Sequence, residues 1–350
     1  MSRIAVVVFN LGGPDRPDAV EPFLFNLFND PAIIRLPGPL RWLLAKVISR
    51  RRAPVAQEIY RELGGGSPLL PNTEAQTRAL QAKLAGDELA GAEDEWQVFI
   101  AMRYWHPRAA ETAREVAAYG PDQVLLVPLY PQFSTTTSAS SLREWEREAR
   151  AAGITGPSRT LCCYPEDRGF VAATAKGLRA ALRDLEHDTP PRVLFSAHGL
   201  PKKIVAQGDP YQWQVEQSVA AVVRAMGEVN LDWAVCYQSR VGPLEWIGPS
   251  TDAEIERAGR EGRPVIVVPI AFVSEHSETL VELDIEYRKL AEEAGVPVYL
   301  RVPTVADDSE FIEGLAEQIL HLRTAEQVLC SHIGGRFCPA QWAGCPHTRS

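Results

Sequence analysis

A chain of 350 residues with 45% hydrophobic and 23% charged residues can bury more than one core, and this composition excludes an intrinsically disordered protein. A formal net charge of −9 argues against general nucleic-acid binding, because phosphate backbones reward clustered positive charge. No window reaches the roughly 18 uninterrupted apolar residues of a membrane-spanning helix. Six cysteines in a chain of this size do not make a secreted disulfide scaffold. Met1 to Asn10 runs straight into an apolar stretch without a charged leader, so a cytoplasmic location is expected.

Along the chain, apolar runs of strand length fall at 4–11, 96–104, 123–131, 191–199, 232–239 and 263–272. Between them lie helical patterns at 73–85, 107–119, 138–152, 168–186, 211–228, 251–261, 278–294 and 308–322, several opened by Thr, Ser or Asp as N-caps. Continuous Val, Ile and Leu runs alternating with helices predict an α/β architecture of parallel strands covered on both faces. The pattern occurs twice. FNLGGP at 9–14 is similar to FSAHGLP at 195–201, WQVFIAMR at 96–103 to WAVCYQSR at 233–240, and VLLVPLYPQFS at 124–134 to VIVVPIAFVSE at 265–275. Three matches in one order predict a duplication and two similar lobes. In such sheets ligands bind beyond the carboxyl ends of the strands, which is where the chemical motifs lie.

The first motif is SAHGLP, Ser196 to Pro201, where a strand ends in His198 followed by glycine and proline. An imidazole there can act as a proton acceptor or a metal ligand near neutral pH, or simply hold the turn. The second is SEHSETLVELDIEYRKL, Ser274 to Leu290. Leu280, Leu283, Tyr287 and Leu290 form a buried stripe, while Glu278, Glu282 and Glu286 recur at i, i+4 and i+8 on another face. Like charges at that spacing destabilise a helix by a few tenths of a kcal/mol each. Such a row is either a solvated acidic face or a file that hands on protons or attracts a hard cation, with His276 as a further ligand at its entrance. The third is Asp30 to Ala53, in which Ile33, Ile34, Leu36, Leu40, Trp42, Leu43 and Leu44 are mixed with Arg35, Arg41, Lys46, Arg50, Arg51 and Arg52. An apolar, aromatic and basic segment in an acidic protein reads as a lip for a membrane surface or a large flat anionic ligand, or as a basic helix packed on the core.

Read together, these stretches resemble the ferrochelatase family along nearly the whole chain. The carriers are NLGGPD at 10–15, YRELGGGSPL at 60–69, MRYWHP at 102–107, LYPQFSTTT at 129–137, LFSAHGLP at 194–201, GDPY at 208–211, YQSRVGPLEWIGPST at 237–251 and VPIAFVSEHSETLVELDIEY at 268–287. The resemblance implies two Rossmann-like lobes, at 1–165 with the lip 30–53 and at 166–325, with a porphyrin cleft between them and a C-terminal extension at 326–350. It implies insertion of Fe²⁺ into protoporphyrin IX, with His198 and Glu278 as the catalytic pair and His276, Glu282 and Glu286 in the line that meets the iron or carries protons. By position it sets Arg51, Arg52, Tyr60 and Ser67 near the porphyrin propionates, Arg103, Tyr104 and Trp246 along the cleft, and Ile34 facing the macrocycle. A monomer or homodimer with peripheral contact to the inner membrane face fits the same family. A chelatase for another tetrapyrrole or a porphyrin carrier would share the cleft, although a carrier has no use for the acidic line. Ser196 and His198 do not read as a serine hydrolase, because no nucleophile elbow is present.

The cysteines carry a separate expectation. Cys330, Cys338 and Cys345 lie in the glycine-rich final stretch. Some family members hold a 2Fe-2S cluster with three cysteines of such an extension and one internal cysteine, and four thiolates are the usual ligand set. Cys162 or Cys163 is the internal candidate here, since Thr135 stands where the animal enzymes place theirs. Zinc with His332 or His347, and free thiols, are the alternatives. Cys236, inside a strand, reads as core.

Overall fold

The computed structural model describes residues 2–86, 94–227, 230–240 and 244–347. Residues 241–243 of the YQSRVGPLEWIGPST motif, and residue 228 at the end of one expected helix, lie outside the described residues. The chain divides into two compact units. The first comprises Met1–Tyr130, Ser134–Cys162 and Gln318–Cys330, and the second Pro131–Phe133, Cys163–Glu317 and Ser331–Ser350.

In the first unit the elements run β1 (Arg3–Asn10), α1 (Val20–Phe28), α2 (Gly38–Glu62), α3 (Leu69–Gly86), β2 (Glu95–Met102), α4 (Ala109–Tyr119), β3 (Gln123–Pro128), α5 (Ser138–Ala151) and β4 (Ser158–Cys163). In the second they run α6 (Arg168–Asp184), β5 (Arg192–His198), α7 (Lys202–Ala206), α8 (Tyr211–Met226), β6 (Asp232–Gln238), α9 (Thr251–Arg260), β7 (Val265–Pro269), a π-helix at Glu278–Glu286, α10 (Tyr287–Glu293) and β8 (Tyr299–Arg301). Helix α11 (Ser309–Thr324) and β9 (Leu329–Ser331) end the chain's regular structure. The sheets are ordered β2-β1-β3-β4-β9 and β6-β5-β7-β8, with β1 parallel to β2 and β3, and β5 parallel to β6 and β7.

The first four strands of each sheet therefore share one order, and the three motif pairs noted in the sequence fall on β1 and β5, β2 and β6, and β3 and β7. The shared topology gives the repeat a structural basis that strand-end resemblance alone does not. The central strands are apolar because they are covered on both faces: β1 is buried from Ile4 to Asn10, and β3 and β7 throughout. At roughly 1.5–3 kcal/mol for each large aliphatic side chain buried, these runs hold the strand ends, and the motifs on them, in fixed register.

The sequence pattern missed β4, β8 and β9, which lie beyond β3 and β7 in sheet order: β8 and β9 have three residues each, too few to show a period, and β4, SRTLCC, opens on polar residues and not on a continuous apolar run. It also took 278–294 as one α-helix. Residues Glu278–Glu286 are instead wound as a π-helix, with the Tyr287 N–H donating to the Glu282 carbonyl five residues back.

Candidate active site

His198 is the last residue of β5, whose register sets it beside Gln238 at the end of β6. Gly199 then lets the chain turn against β6: its N–H donates to the Gln238 carbonyl at 2.8 Å, and a Cβ at this position would lie 2.8 Å from that oxygen. A larger residue would push His198 away from its partner across the sheet.

That partner is Glu278. The His198 Nδ1 and Glu278 Oε2 are 2.8 Å apart. The bond engages Nδ1 and leaves Nε2 as the ring nitrogen that can exchange a proton with another group. Burial pulls the His198 pKa down, but the Glu278 carboxylate and its hydrogen bond outweigh it, and the net shift is upward. Burial likewise pushes Glu278 up, and the charge and hydrogen bond of His198, with help from His276 and Ser239, reverse this and hold it at about 2.

His276 approaches the same carboxylate, with Nε2 4.0 Å from Glu278 Oε2. It is buried, its Nδ1 bonds the Ser274 carbonyl at 3.2 Å, and burial lowers its pKa. One carboxylate thus faces a histidine inclined to charge and a second inclined to stay neutral.

Glu282 is held by residues that the sequence pattern did not single out. Ser239 donates its N–H to Glu282 Oε1 at 2.7 Å, and its hydroxyl bonds both Glu282 Oε2 and, at 3.4 Å, Glu278 Oε2. Gln238 donates to Glu282 Oε2 and to the Glu278 carbonyl, each at 3.1 Å. To present these groups Ser239 adopts φ +59, a left-handed backbone costing about 1–3 kcal/mol that is kept where the surroundings impose it. Burial and the charge of Glu278 raise the Glu282 pKa. Two neighbouring carboxyls are thereby pushed apart, one toward permanent charge and one toward accepting a proton.

The winding of the π-helix decides which side chain stands next to Glu282. In an α-helix Glu286 would continue the row. In the π register the residue five on is Tyr287, whose hydroxyl lies 3.2 Å from Glu282 Oε1 and 3.4 Å from Asp252 Oδ2. Glu286 is exposed and takes no part in these bonds. Arg301 braces the segment, with paired bonds of 2.7 Å to Asp284 and one of 2.8 Å to Glu275. A sequence period of four cannot reveal this, because it presupposes the α-helical turn.

The expected lining residues differ in exposure and in partners. In the first unit Ile34 is half-buried, Arg51 and Arg52 are exposed on α2, and Tyr60 is buried in a cluster with Phe23, Leu24, Tyr104 and Trp105. Ser67 packs on the NLGGP turn, donating its N–H to the Pro14 carbonyl at 2.7 Å, and a Cβ on Gly13 would sit 2.5 Å from its side chain. Arg103 and Tyr104 are occupied by Asp30, at 2.7 and 2.8 Å. In the second unit Trp246 is half-buried beside Gly199.

None of the six cysteines forms a disulfide. In the second unit Gln214, fully buried, donates Nε2 toward the sulfurs of Cys338 at 3.1 Å and Cys163 at 3.5 Å, while its Oε1 accepts the Phe133 N–H at 2.7 Å. Cys338 and Cys345 share a hydrogen bond, which pushes the Cys345 thiol down and the Cys338 thiol up. Cys162 and Cys330 belong to the first unit. Among the described residues, no group of three or more His, Cys, Asp or Glu side chains is gathered as a ready metal site.

Parallel Rossmann-like sheets with catalytic-type side chains at their carboxyl ends define an α/β protein of the chelatase fold. The fold is that of "SirB from Bacillus subtilis with Fe3+", with a TM-score of 0.53 over 93% of this chain and 96% of that one at 12% identity. The chain belongs to the ferrochelatase family, whose family model matches residues 3–322. It is similar to the ferrochelatase of Caulobacter vibrioides, at 54% identity over 98% of this chain and 97% of the relative. It is also similar to that of Pelagibacter ubique, at 48% identity over 98% of each.

Proposed function

We infer that the protein is a porphyrin metal chelatase that inserts Fe²⁺ into protoporphyrin IX to give protohaem, and that His198 and Glu278 are its catalytic pair. The observation that carries the roles is the 2.8 Å bond between His198 Nδ1 and Glu278 Oε2 at the end of a buried strand. Two pyrrole protons must leave as the iron enters. His198 accepts a proton on Nε2, and Glu278, kept charged, stabilises the imidazolium that forms. For the proton to move on, His198 gives its Nδ1 proton to Glu278, and the Ser239 hydroxyl takes that proton from Glu278 while giving its own to Glu282, which accepts one more readily than an ordinary glutamate. His276, whose pKa burial lowers, supplies a ring nitrogen as a donor for the incoming Fe²⁺ alongside the acidic line. Fe²⁺ and protoporphyrin IX are substrates, and an anaerobic steady-state assay with both should give the absorbance of protohaem. Porphyrin bound without turnover would leave a carrier.

The same proposal keeps lobes at 1–165 and 166–325 and a tail at 326–350, and lines the porphyrin with Ile34, Arg51, Arg52, Tyr60, Ser67, Arg103, Tyr104 and Trp246. It also places a 2Fe-2S cluster on the tail. What supports it is soft donor chemistry in the second unit, where Gln214 bonds the sulfurs of Cys163 and Cys338 and Cys338 bonds Cys345, although among the described residues the three are not gathered as a ready metal site. This favours Cys163 over Cys162, whose side chain leaves the strand on the other face. Cys330, the remaining tail cysteine of the proposal, belongs to the first unit. Bound, the cluster would tie the tail by covalent ligation.

Lastly, the lip meets an anionic membrane surface on the cytoplasmic side. Among the described residues no helix is long and apolar enough to cross a membrane. On α2, however, Leu40, Trp42 and Leu43 are 58%, 47% and 56% exposed, with Arg35, Lys46 and Arg50 nearby in sequence. Exposed apolar groups among cations suit surface attachment. Replacing the three with Ser should weaken binding to anionic vesicles and raise the apparent KM for lipid-delivered porphyrin. Unchanged vesicle binding at low salt would make the segment an ordinary surface helix.

A further inference from the structure

The lip is apolar and largely exposed, yet its backbone is fastened at two points. Asp30 stands between α1 and the turn that carries Ile33 and Ile34, and it is only 3% exposed. One carboxylate oxygen, Oδ2, accepts Arg103 Nη2 at 2.7 Å, the Tyr104 hydroxyl at 2.8 Å and the Ser140 hydroxyl at 2.6 Å. Its Oδ1 accepts the Ala32 N–H at 2.8 Å, and its carbonyl accepts the N–H groups of Ile33 at 3.0 Å and Ile34 at 2.9 Å. A single residue thus ties the turn to the end of β2 and to the start of α5. Arg103 is itself fully engaged, donating also to Ser140 at 2.9 Å and to Glu144 at 2.9 Å. The second fastening is Arg41 on α2, which reaches back to the carbonyls of Asn29 at 2.8 Å and Leu36 at 2.7 Å and closes the loop from the other side.

Such an arrangement has a cost that apolar packing would avoid. Burying Asp30, Arg103 and Glu144 together requires desolvating three charges, and a buried ionic network is weak evidence of stability alone. What it does supply is a unique geometry for the segment it holds. We propose that Asp30, seconded by Arg41, is a positioning residue that holds the lip turn in its porphyrin-binding form before the porphyrin arrives. The inference rests on the reading that Ile34 faces the macrocycle. A turn already ordered in the free protein does not lose its conformational freedom on binding, so affinity for the flat substrate is gained without a further contact.

The test compares Asp30→Asn, Arg41→Gln and Ile34→Ala in the full-length protein by amide hydrogen exchange over residues 29–41, porphyrin KM and kcat. Asp30→Asn and Arg41→Gln should accelerate exchange at Ala32, Ile33 and Ile34 and raise the porphyrin KM about tenfold, with kcat within about twofold. Ile34→Ala should raise KM while leaving exchange unchanged. If Asp30→Asn does not fold, Arg41→Gln alone carries the test. Faster exchange with an unchanged KM would overturn the proposal, as would exchange that stays slow in the variants. If Ile34→Ala leaves KM unchanged while the other two raise it, the macrocycle-facing assignment fails and the positioning role stands.

Discussion

His198→Ala should abolish metallation while porphyrin still binds, because general-base loss typically costs about 10²–10⁴-fold and nothing in the change disturbs the lip. Turnover above about a tenth of wild type would remove His198 from that role. Glu278→Gln should be similarly severe, and its pH profile gives a second reading. A base must be neutral to accept a proton, so activity falls as pH drops through the pKa of His198. Its partner Glu278 holds that pKa above the ordinary value near 6.5, against the opposing pull of burial. The acid limb of wild type should therefore lie above the usual histidine range. In Glu278→Gln the amide cannot supply the charge, so the limb should move to lower pH as the rate falls. A limb that stays in place would belong to another group. Glu286→Gln should change little, since Glu286 is exposed and outside the bonds that join Glu278, Ser239, Glu282 and Tyr287.

The strands were legible because burial on both faces demands continuous Val, Ile and Leu, a signal carried locally by the residues themselves. The internal repeat was legible for the same reason, since β1 with β5, β2 with β6 and β3 with β7 had to be similarly apolar and to end in similar turns. The acidic row was legible as residue types and misread as geometry. Glu278, Glu282 and Glu286 stand four apart in sequence, but a π-helix turns Tyr287 onto Glu282 and leaves Glu286 in solvent. That winding is braced by Arg301, by Ser239 and by Gln238, each distant in sequence, so no local window contains the cause. Asp30 was invisible for a related reason. One aspartate between two apolar stretches carries no period, and its importance lies in Arg103, Tyr104 and Ser140, which lie 73, 74 and 110 residues away.

For the cysteines, placement in the sequence suggested a site, and Gln214 bonds the sulfurs of two of the candidates, Cys163 and Cys338. Protein purified anaerobically should be reddish-brown and contain iron and sulfide, from a 2Fe-2S cluster on Cys163, Cys330, Cys338 and Cys345. Thiolates are the ligands, and the hydrogen bond from Cys338 inclines Cys345 toward that form, so it is the position where substitution should tell most. Cys345→Ser should bleach the visible absorbance, increase proteolysis of the tail and lower the thermal midpoint, because ligation couples local folding to the metal. Cys163→Ser should bleach it as well, whereas Cys162→Ser should not, since consecutive strand residues face opposite ways. Cys236→Ser is the control for a core thiol: the residue is fully buried in β6, its pKa raised by burial to about 12, and the colour should persist. Iron and sulfide at background would sink the cluster, and zinc in their place would move the site to a Cys and His set with His332 or His347. The catalytic assignment would survive either result, because His198, Glu278 and Glu282 make their bonds without any residue of the tail.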